Sequence, residues 1–336
     1  MIKLERVNKN YGDFHIQDFS LEVSPGEYFV ILGPSGAGKT LLLEMMAGLE
    51  SPDSGKITGL DRSRTGLIYQ DYMLFPHMNV FQNIAYGLTI RKEKKQVIKT
   101  QVESVSEQLG IVNLLSRDIK TLSGGEKQRA AIARAMVMQP DVYLLDEPTA
   151  ALDLSTKTQI QRLILNIHKK DNPTVVHVTH DFEEALAMGD RIGLLFSGQL
   201  IQKDTPEKVF NHPISKKAAD FLGYKNVFSG RIKDYIMDID GIPIMTTEKE
   251  AEKAHIAVRS NDILLSRAKL ESSARNSFSG KVVKGIKRTN HMEVVVDIGV
   301  LLYVDITYPS FKEMRLRAGT RIWATFKTAA VKVFLH

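Results

Sequence analysis

The chain has 336 residues, 43% hydrophobic and 25% charged, which is the composition of a globular protein with room for two domains rather than of a disordered or membrane-embedded chain. It has no cysteine, so disulfides and thiolate-bound metals are excluded. Its net charge of +6 is uneven: residues 1–225 carry 27 basic and 27 acidic side chains, residues 226–336 carry 18 and 12, so the C-terminal part is either a basic solvated surface or a region that handles an anion.

The first residues, Met1–Asp13, lack the apolar stretch of a secretory signal. The most apolar runs, Tyr28–Leu32 and Val142–Leu145, are too short to cross a bilayer, so any membrane role is expected to pass through a partner. Tyr28–Leu32 reads as a buried strand, and Lys39–Ala47 as a helix. Between them lies Gly33-Pro34-Ser35-Gly36-Ala37-Gly38-Lys39-Thr40, a phosphate-binding loop in the strand-to-helix context that such a loop needs. Its glycines let backbone N–H groups curl around phosphate oxygens, Lys39 reaches the terminal phosphates, and the Thr40 hydroxyl suits Mg²⁺.

A second strand, Leu67–Tyr69, ends at Gln70. Residues 71–86 are rich in Met and aromatic side chains, as an adaptable docking surface or the core of a helical subdomain would be. Residues 95–110 carry apolar side chains at helical spacing. Ser123, Gly124, Gly125 and Glu126 stand at the start of an Ala- and Met-rich helix, either as a second anion nest or as an ordinary N-cap. Val142–Leu145 ends in Asp146 and Glu147: the first suits a Mg²⁺ ion and the second can polarise a water, although two acids at a strand end also cap helices. Thr156–His168 reads as a helix and Val175–Val178 as a strand running into His180, with His177 expected only to fill space. This alternation of strands and helices predicts an α/β sheet.

After residue 225 alternating strands dominate and a small all-β domain is expected over 226–336. Two short matches suggest an internal repeat: Asn226-Val-Phe-Ser-Gly-Arg-Ile with Asn276-Ser-Phe-Ser-Gly-Lys-Val, and Val258-Arg-Ser-Asn-Asp-Ile with Phe326-Lys-Thr-Ala-Ala-Val.

Leu122–Arg129, Leu-Ser-Gly-Gly-Glu-Lys-Gln-Arg, is similar to the signature motif of ATP-binding-cassette (ABC) ATPases. The other motifs of that family stand in its order: the phosphate loop, Gln70, the signature, Asp146-Glu147, Ala151-Leu152-Asp153 and His180. The resemblance implies a P-loop NTPase domain over 1–225 with a helical subdomain, paired head to tail with a second copy. It implies that ATP lies between the phosphate loop of one copy and Ser123–Glu126 of the other, next to the Asp153 loop. Mg²⁺ would be held by Thr40, Gln70 and Asp146, with Glu147 as catalytic base, Gln70 linking the metal and attacking water to the membrane subunit, and His180 near the γ-phosphate. Tyr11 stands where the family stacks an aromatic on adenine; a core tyrosine is the competing reading. With no span of its own, the chain would sit on the cytoplasmic face of the membrane, docked through residues 71–86 on an integral-membrane permease that receives solute from a binding protein. The stretch Gly55–Gln70 is shorter than in many relatives.

The C-terminal part resembles the OB-like, molbindin-like fold. Ser273-Ala274-Arg275-Asn276 is similar to the Ser-Ala-Arg-Asn of molybdate-binding domains, and Lys327-Thr328 to the Lys-Ala-Ser/Thr segment that completes their site. Hydroxyls, N–H groups and a few cations are what a tetrahedral dianion needs. The resemblance implies an importer of molybdate or tungstate whose C-terminal domain senses the oxyanion and restrains the ATPase. The first repeat has Tyr224-Lys225-Asn226 instead, so one competent unit per chain is expected, its site complete either in one chain or in the dimer. Importers of sulfate, sugar, iron or polyamine share such extensions. A soluble ABC ATPase acting on nucleic acid is a rival that the C-terminal basicity would suit, but no aromatic-basic strand motif accompanies it, and no nucleic acid is expected.

Overall fold

A computed structural model describes residues 1–335. It divides into two compact units, Met1–Val209 and the remainder from Phe210. The first contains strands β1 (Ile2–Tyr11), β2 (Phe14–Val23), β3 (Tyr28–Leu32), β4 (Ser54–Thr58), β5 (Thr65–Ile68), β6 (Val142–Asp146), β7 (Thr174–Thr179), β8 (Arg191–Phe196) and β9 (Gln199–Asp204). Its helices are α1 (Lys39–Ala47), α2 (Val80–Ile90), α3 (Lys95–Leu109), α4 (Gly124–Met136), α5 (Leu154–Asp171) and α6 (Phe182–Met188); α7 (Pro206–Asn211) contains the division.

The central sheet has the order β5-β6-β7-β3-β8-β9, parallel except for β9. Every residue of β3, β6 and β7 is buried, because a parallel sheet is covered on both faces and its strands read as continuous apolar runs. Each Val, Leu or Ile removed from water there contributes about 1.5–3 kcal/mol. The sheet order β5-β6-β7-β3 sets four adjacent strand ends side by side, and these deliver Gln70, Asp146-Glu147, His180 and the phosphate loop to one edge. A second, antiparallel sheet, β2-β1-β4, was not anticipated from sequence. Its strands bury only part of their length, and charged residues interrupt their alternation. Helices α2, α3 and α4 pack on one another as a helical subdomain.

The expected boundary at residue 225 falls at Val209/Phe210 instead. The residues between belong with the strands that follow. Tyr224 Oη donates to the Phe210 carbonyl at 3.1 Å and Arg259 to the same carbonyl at 2.6 Å. Helix α8 (Lys216–Phe221) supplies Ala219 to an apolar cluster with Tyr224, Ala257 and Phe334.

The second unit contains β10 (Asn226–Lys233), β11 (Ile236–Ile239), β12 (Ile242–Met245), β13 (Ala251–Val258), β14 (Leu264–Ser266), β15 (Asn276–Lys287), β16 (Met292–Asp297), β17 (Leu301–Ile306), β18 (Arg321–Phe326) and β19 (Lys332–Leu335), with a short helix α9 (Tyr308–Glu313) that the sequence reading did not anticipate. Two five-stranded antiparallel sheets run β12-β11-β10-β13-β19 and β17-β16-β15-β18-β14. They are copies of one design, so the repeat glimpsed in the sequence is real. Asn226 pairs with Val258 and Gly230 with Ala254 in one; Asn276 pairs with Phe326 and Gly280 with Ile322 in the other. Each half sends its last strand to the other half's sheet: β14 pairs with β18 and β19 with β13. The two buried asparagines staple the halves reciprocally. Asn226 Oδ1 accepts from Tyr303 N at 2.7 Å, and Asn276 Oδ1 accepts from Met245 N at 2.7 Å.

Candidate active site

The phosphate loop has the geometry its glycines require. Gly36 and Gly38 have φ of 76° and 97°, a region that L side chains rarely adopt, and a Cβ on Gly38 would fall 2.5 Å from the Phe14 ring. A Cβ on Gly33 would fall 2.2 Å from the Leu195 carbonyl. Helix α1 then starts at Gly38 with no side-chain cap, so its first N–H groups and dipole face the loop and fit an anion such as phosphate. Pro34, Ser35 and Ala37 complete the turn, in which Ala37 N donates to the Pro34 carbonyl at 3.2 Å.

Lys39 is almost wholly buried and donates to the carbonyls of Gly33 and Pro34, both at 3.0 Å, with Glu147 at 3.3 Å. The Thr40 hydroxyl donates to Asp146 Oδ2 at 2.9 Å. Burial pushes the Asp146 carboxyl above its ordinary range, against the pull of the Thr40 hydrogen bond. These two residues offer only hard oxygen donors, and among the described residues no group of three or more acids or histidines is arranged to hold a metal ion by itself. They therefore fit Mg²⁺ in its usual manner, in which a carboxylate and a hydroxyl share the ion with phosphates and water.

Glu147 is held between two groups. Its carboxylate lies 3.3 Å from Lys39 and 2.8 Å from His180 Nδ1. Its backbone has φ of 43°, a strained value for a side-chain-bearing residue, fixed by its N–H to the Val178 carbonyl at 3.0 Å. His180 is half exposed, next to a buried strand. The structure thus gathers Gly33–Thr40, Asp146, Glu147 and His180 into one cluster, which can bind phosphates and a cation and polarise a water.

Other expected residues stand outside this cluster. Gln70 is exposed in the turn after β5 and, among the described residues, makes no hydrogen bond. Tyr11 is 60% exposed, which removes the core-tyrosine alternative. Ser123 caps α4 in a box with Glu126: Glu126 N donates to Ser123 Oγ at 3.3 Å, and Ser123 N to Glu126 Oε2 at 2.8 Å. That backbone hydrogen bond, first among the causes, holds the Glu126 carboxyl below its ordinary range. Gly124 and Gly125 begin the helix, and Gly125 lies so close to Thr156 that a Cβ would fall 2.5 Å from its methyl. Asp153 caps α5 through Thr156 N at 3.0 Å. The signature segment therefore sits against the start of α5.

His177 does more than fill space: Nδ1 and Tyr28 Oη share a hydrogen bond of 3.0 Å inside the core, and burial pushes its pKa down. Sequence reasoning missed Thr149 and Glu184, whose contacts with the segments holding Glu147 and His180 exist only in the folded chain.

In the second unit, residues 275 and 327 flank the Asn276–Phe326 pair at one end of the β15–β18 ladder, which sets Ser273–Asn276 beside Lys327-Thr328. Arg275 and Lys327 are exposed and, among the described residues, in no ion pair. The Thr328 Oγ1 atom is buried and has no hydrogen-bond partner among the described residues. Ser273 is exposed and Ala274 half-buried. The Asn276 side chain is spent on the Met245 backbone, a role in the fold. The first half treats its counterparts differently. Lys225 pairs with the buried Glu293, Ser260 Oγ donates to Asp305, and Arg259 is held by Phe210 and Tyr224.

The ABC transporter family profile matches residues 16–150, and the TOBE domain profile residues 272–333. The chain is 42% identical to the molybdate/tungstate import ATP-binding protein WtpC of Pyrococcus abyssi, over 99% of this chain and 100% of that protein. It is 38% identical to the spermidine/putrescine import ATP-binding protein PotA of Acetivibrio thermocellus, over 88% of this chain and 87% of that one. Among solved structures it is similar to the dimeric post-hydrolysis state of the ATP-binding cassette MJ0796 bound to ADP and Pi, with a TM-score of 0.56, 29% identity, and coverage of 61% of this chain and 99% of that one.

Proposed function

The chain belongs to the ABC transporter family of import ATP-binding proteins, and we propose that the uptake it energises is that of molybdate or tungstate. The observation that carries the choice of solute is the open end of the β15–β18 ladder, which carries Arg275 and Lys327, in no ion pair among the described residues, and the buried Thr328 hydroxyl, with no hydrogen-bond partner among them. Buried polar atoms without partners are rare in folded proteins, and a tetrahedral oxyanion supplies what Thr328 lacks. The full-length similarity to a molybdate/tungstate import protein agrees with this. A polyamine, the solute named for another relative, is a cation that Arg275 and Lys327 would repel.

The cluster supports the following hydrolytic roles. The N–H groups at the start of α1 and the Lys39 ammonium hold the β- and γ-phosphates of ATP. Thr40 and Asp146, with Gln70, would hold Mg²⁺, which would supply charge neutralisation at the phosphates. Glu147 accepts a proton from the water whose oxygen bonds to the γ-phosphorus as the bond to the ADP oxygen breaks. His180 orients the Glu147 carboxylate and lies towards the γ-phosphate. Ser123–Glu126 and Asp153 of a second copy close the site from outside, Tyr11 stacks on adenine, and residues 71–86 dock on a permease at the cytoplasmic membrane surface. Oxyanion in the C-terminal units restrains closure, so molybdate or tungstate lowers the ATPase rate of the assembled transporter, a coupling between two sites.

Calorimetric titration with molybdate, tungstate and sulfate, alongside Arg275→Ala, tests the solute. Saturable molybdate or tungstate binding that Arg275→Ala weakens is expected. Sulfate binding alone moves the assignment to sulfate, and no binding leaves the second unit as a structural module. For the chemistry, Glu147→Gln is expected to keep ATP binding and lose roughly 10²–10⁴-fold in steady-state hydrolysis. Turnover near wild type would remove Glu147 as the base.

A further inference from the structure

We propose that Glu184 is a positioning residue for ATP hydrolysis: a buried carboxylate that locks the segment carrying Glu147 to the strand end carrying His180. Glu184 lies on α6 and is 2% exposed. Its Oε1 accepts from the Thr149 hydroxyl at 2.7 Å, and its Oε2 from the Thr179 hydroxyl at 2.8 Å. Thr149 follows Glu147 by two residues, and Thr179 immediately precedes His180. Both threonines are buried. One carboxylate therefore bridges the two backbone segments whose side chains meet at 2.8 Å as Glu147 and His180.

The bridge is braced from both sides. Glu184 N donates to Asp181 Oδ1 at 2.9 Å, and Asp181 N donates to the Thr179 hydroxyl at 3.0 Å. Asp181 Oδ2 meets Lys157, in the first turn of α5, at 2.5 Å. The loop from Glu147 to Asp153 is thus tied to the His180 segment near its start through Thr149, and beyond its end through Lys157.

A fold alone does not call for this arrangement. A buried carboxylate and two buried hydroxyls cost desolvation that apolar groups of the same shape would avoid. What the bridge supplies is direction. The Glu147 backbone is strained at φ 43°, and strained residues persist only where their surroundings over-determine them. The Glu147 N–H bond to Val178 fixes one side of that residue, and the Thr149–Glu184–Thr179 chain fixes the other. Glu184 makes no hydrogen bond to Glu147 or His180 among the described residues, so its effect passes through the two threonines.

The proposal rests on Glu147 and His180 acting in hydrolysis, and Glu147→Gln in the same assay separates the failure of that reading from the failure of this one. Steady-state ATP hydrolysis by the full-length chain is measured for wild type, Glu184→Ala, Glu184→Gln, Thr149→Val and the Thr149→Val/Glu184→Ala double variant, each checked for cooperative unfolding. A displaced catalytic geometry lowers kcat for Glu184→Ala by roughly 10- to 100-fold, with KM for ATP within about threefold of wild type. Glu184→Gln keeps one acceptor and can donate to a rotated threonine hydroxyl, so it recovers to within about fivefold of wild type. The double variant loses no more than the worse single one, because both changes cut the same link. A folded Glu184→Ala with kcat within about twofold of wild type, a rise in KM that matches the fall in kcat, or additive losses would each overturn the proposal. Should Glu184→Ala not fold, Thr149→Val and Glu184→Gln decide it: wild-type kcat in Thr149→Val, or no recovery in Glu184→Gln, sinks it.

Discussion

The two halves of the second unit share a backbone and differ in what their side chains do at one corner. Where β10 meets the end of β13, Lys225, Arg259 and Ser260 are all engaged by groups of the same chain: Glu293, Phe210 with Tyr224, and Asp305. Where β15 meets the end of β18, the counterparts Arg275 and Lys327 have no ion-pair partner among the described residues, and the Thr328 hydroxyl has none either. Glu293 and Asp305 are cross-strand neighbours on β16 and β17, so two carboxylates supplied by the second half engage the first half's corner where, at the second half's corner, an external anion is proposed to bind. The halves thus retain in common what the fold needs and diverge in what a ligand needs.

The largest effects are expected where the halves agree. Asn226 and Asn276 each tie a strand of the opposite half through paired backbone hydrogen bonds. Replacing either by Leu leaves buried N–H and C=O groups without partners, at about 1–3 kcal/mol for each group stranded. Chemical denaturation of Asn226→Leu and Asn276→Leu is expected to show similar losses of several kcal/mol by that measure. A large loss in one and none in the other would break the symmetry.

The next pair separates the halves. Arg275→Ala is expected to weaken oxyanion binding about 10- to 100-fold, the worth of a charge-assisted hydrogen bond, and to leave unfolding in the absence of anion nearly unchanged. Lys225→Ala is expected to do the reverse. It leaves Glu293, 2% exposed, with Arg288 at 3.0 Å as its one ion-pair partner among the described residues, and destabilises the unit by about 1–3 kcal/mol with no change in anion affinity. Calorimetry and denaturation on the two variants read both outcomes, and a Lys225→Ala protein that binds anion more weakly would contradict the assignment.

Much of the first unit was legible from residue types. The runs at β3, β6 and β7 announce themselves because a doubly covered parallel strand has no polar face to interrupt it, and the phosphate loop because its glycines sit where side chains collide. β1 and β2 escaped because half-buried strands with bulges break the two-residue period: between Leu4 and Val7 the register shifts. α9 escaped because it is a single six-residue helix whose residues are nowhere fully buried. The Glu184 bridge could not be read at all. Its members lie at positions 149, 179 and 184, and nothing in a threonine's neighbours along the chain announces a carboxylate folded against it. The boundary at residue 225 was misplaced for a related reason: the helical texture of 216–221 says helix but not which core the helix serves.

The smallest expected effect concerns one hydroxyl in each half and is the sharpest test of the divergence. In the first half Ser260 Oγ donates to Asp305, so Ser260→Ala removes a charge-assisted hydrogen bond and is expected to cost about 1–2 kcal/mol in stability. In the second half Thr328 Oγ1 is buried and has no hydrogen-bond partner among the described residues, so Thr328→Val removes an unsatisfied polar atom while keeping the side-chain shape. That change is expected to be neutral or stabilising by up to about 1 kcal/mol without anion, because a stranded hydroxyl is itself a cost. With anion present the sign should reverse, as Thr328→Val gives up one hydrogen bond to the ligand and loses about 3- to 10-fold in affinity. Thermal unfolding with and without molybdate then shows the curves of wild type and Thr328→Val crossing as anion is added, whereas Ser260→Ala lies below wild type throughout. If Thr328→Val stays below wild type at every anion concentration, its hydroxyl serves the fold as Ser260 does, and the two halves are more alike than their partners suggest.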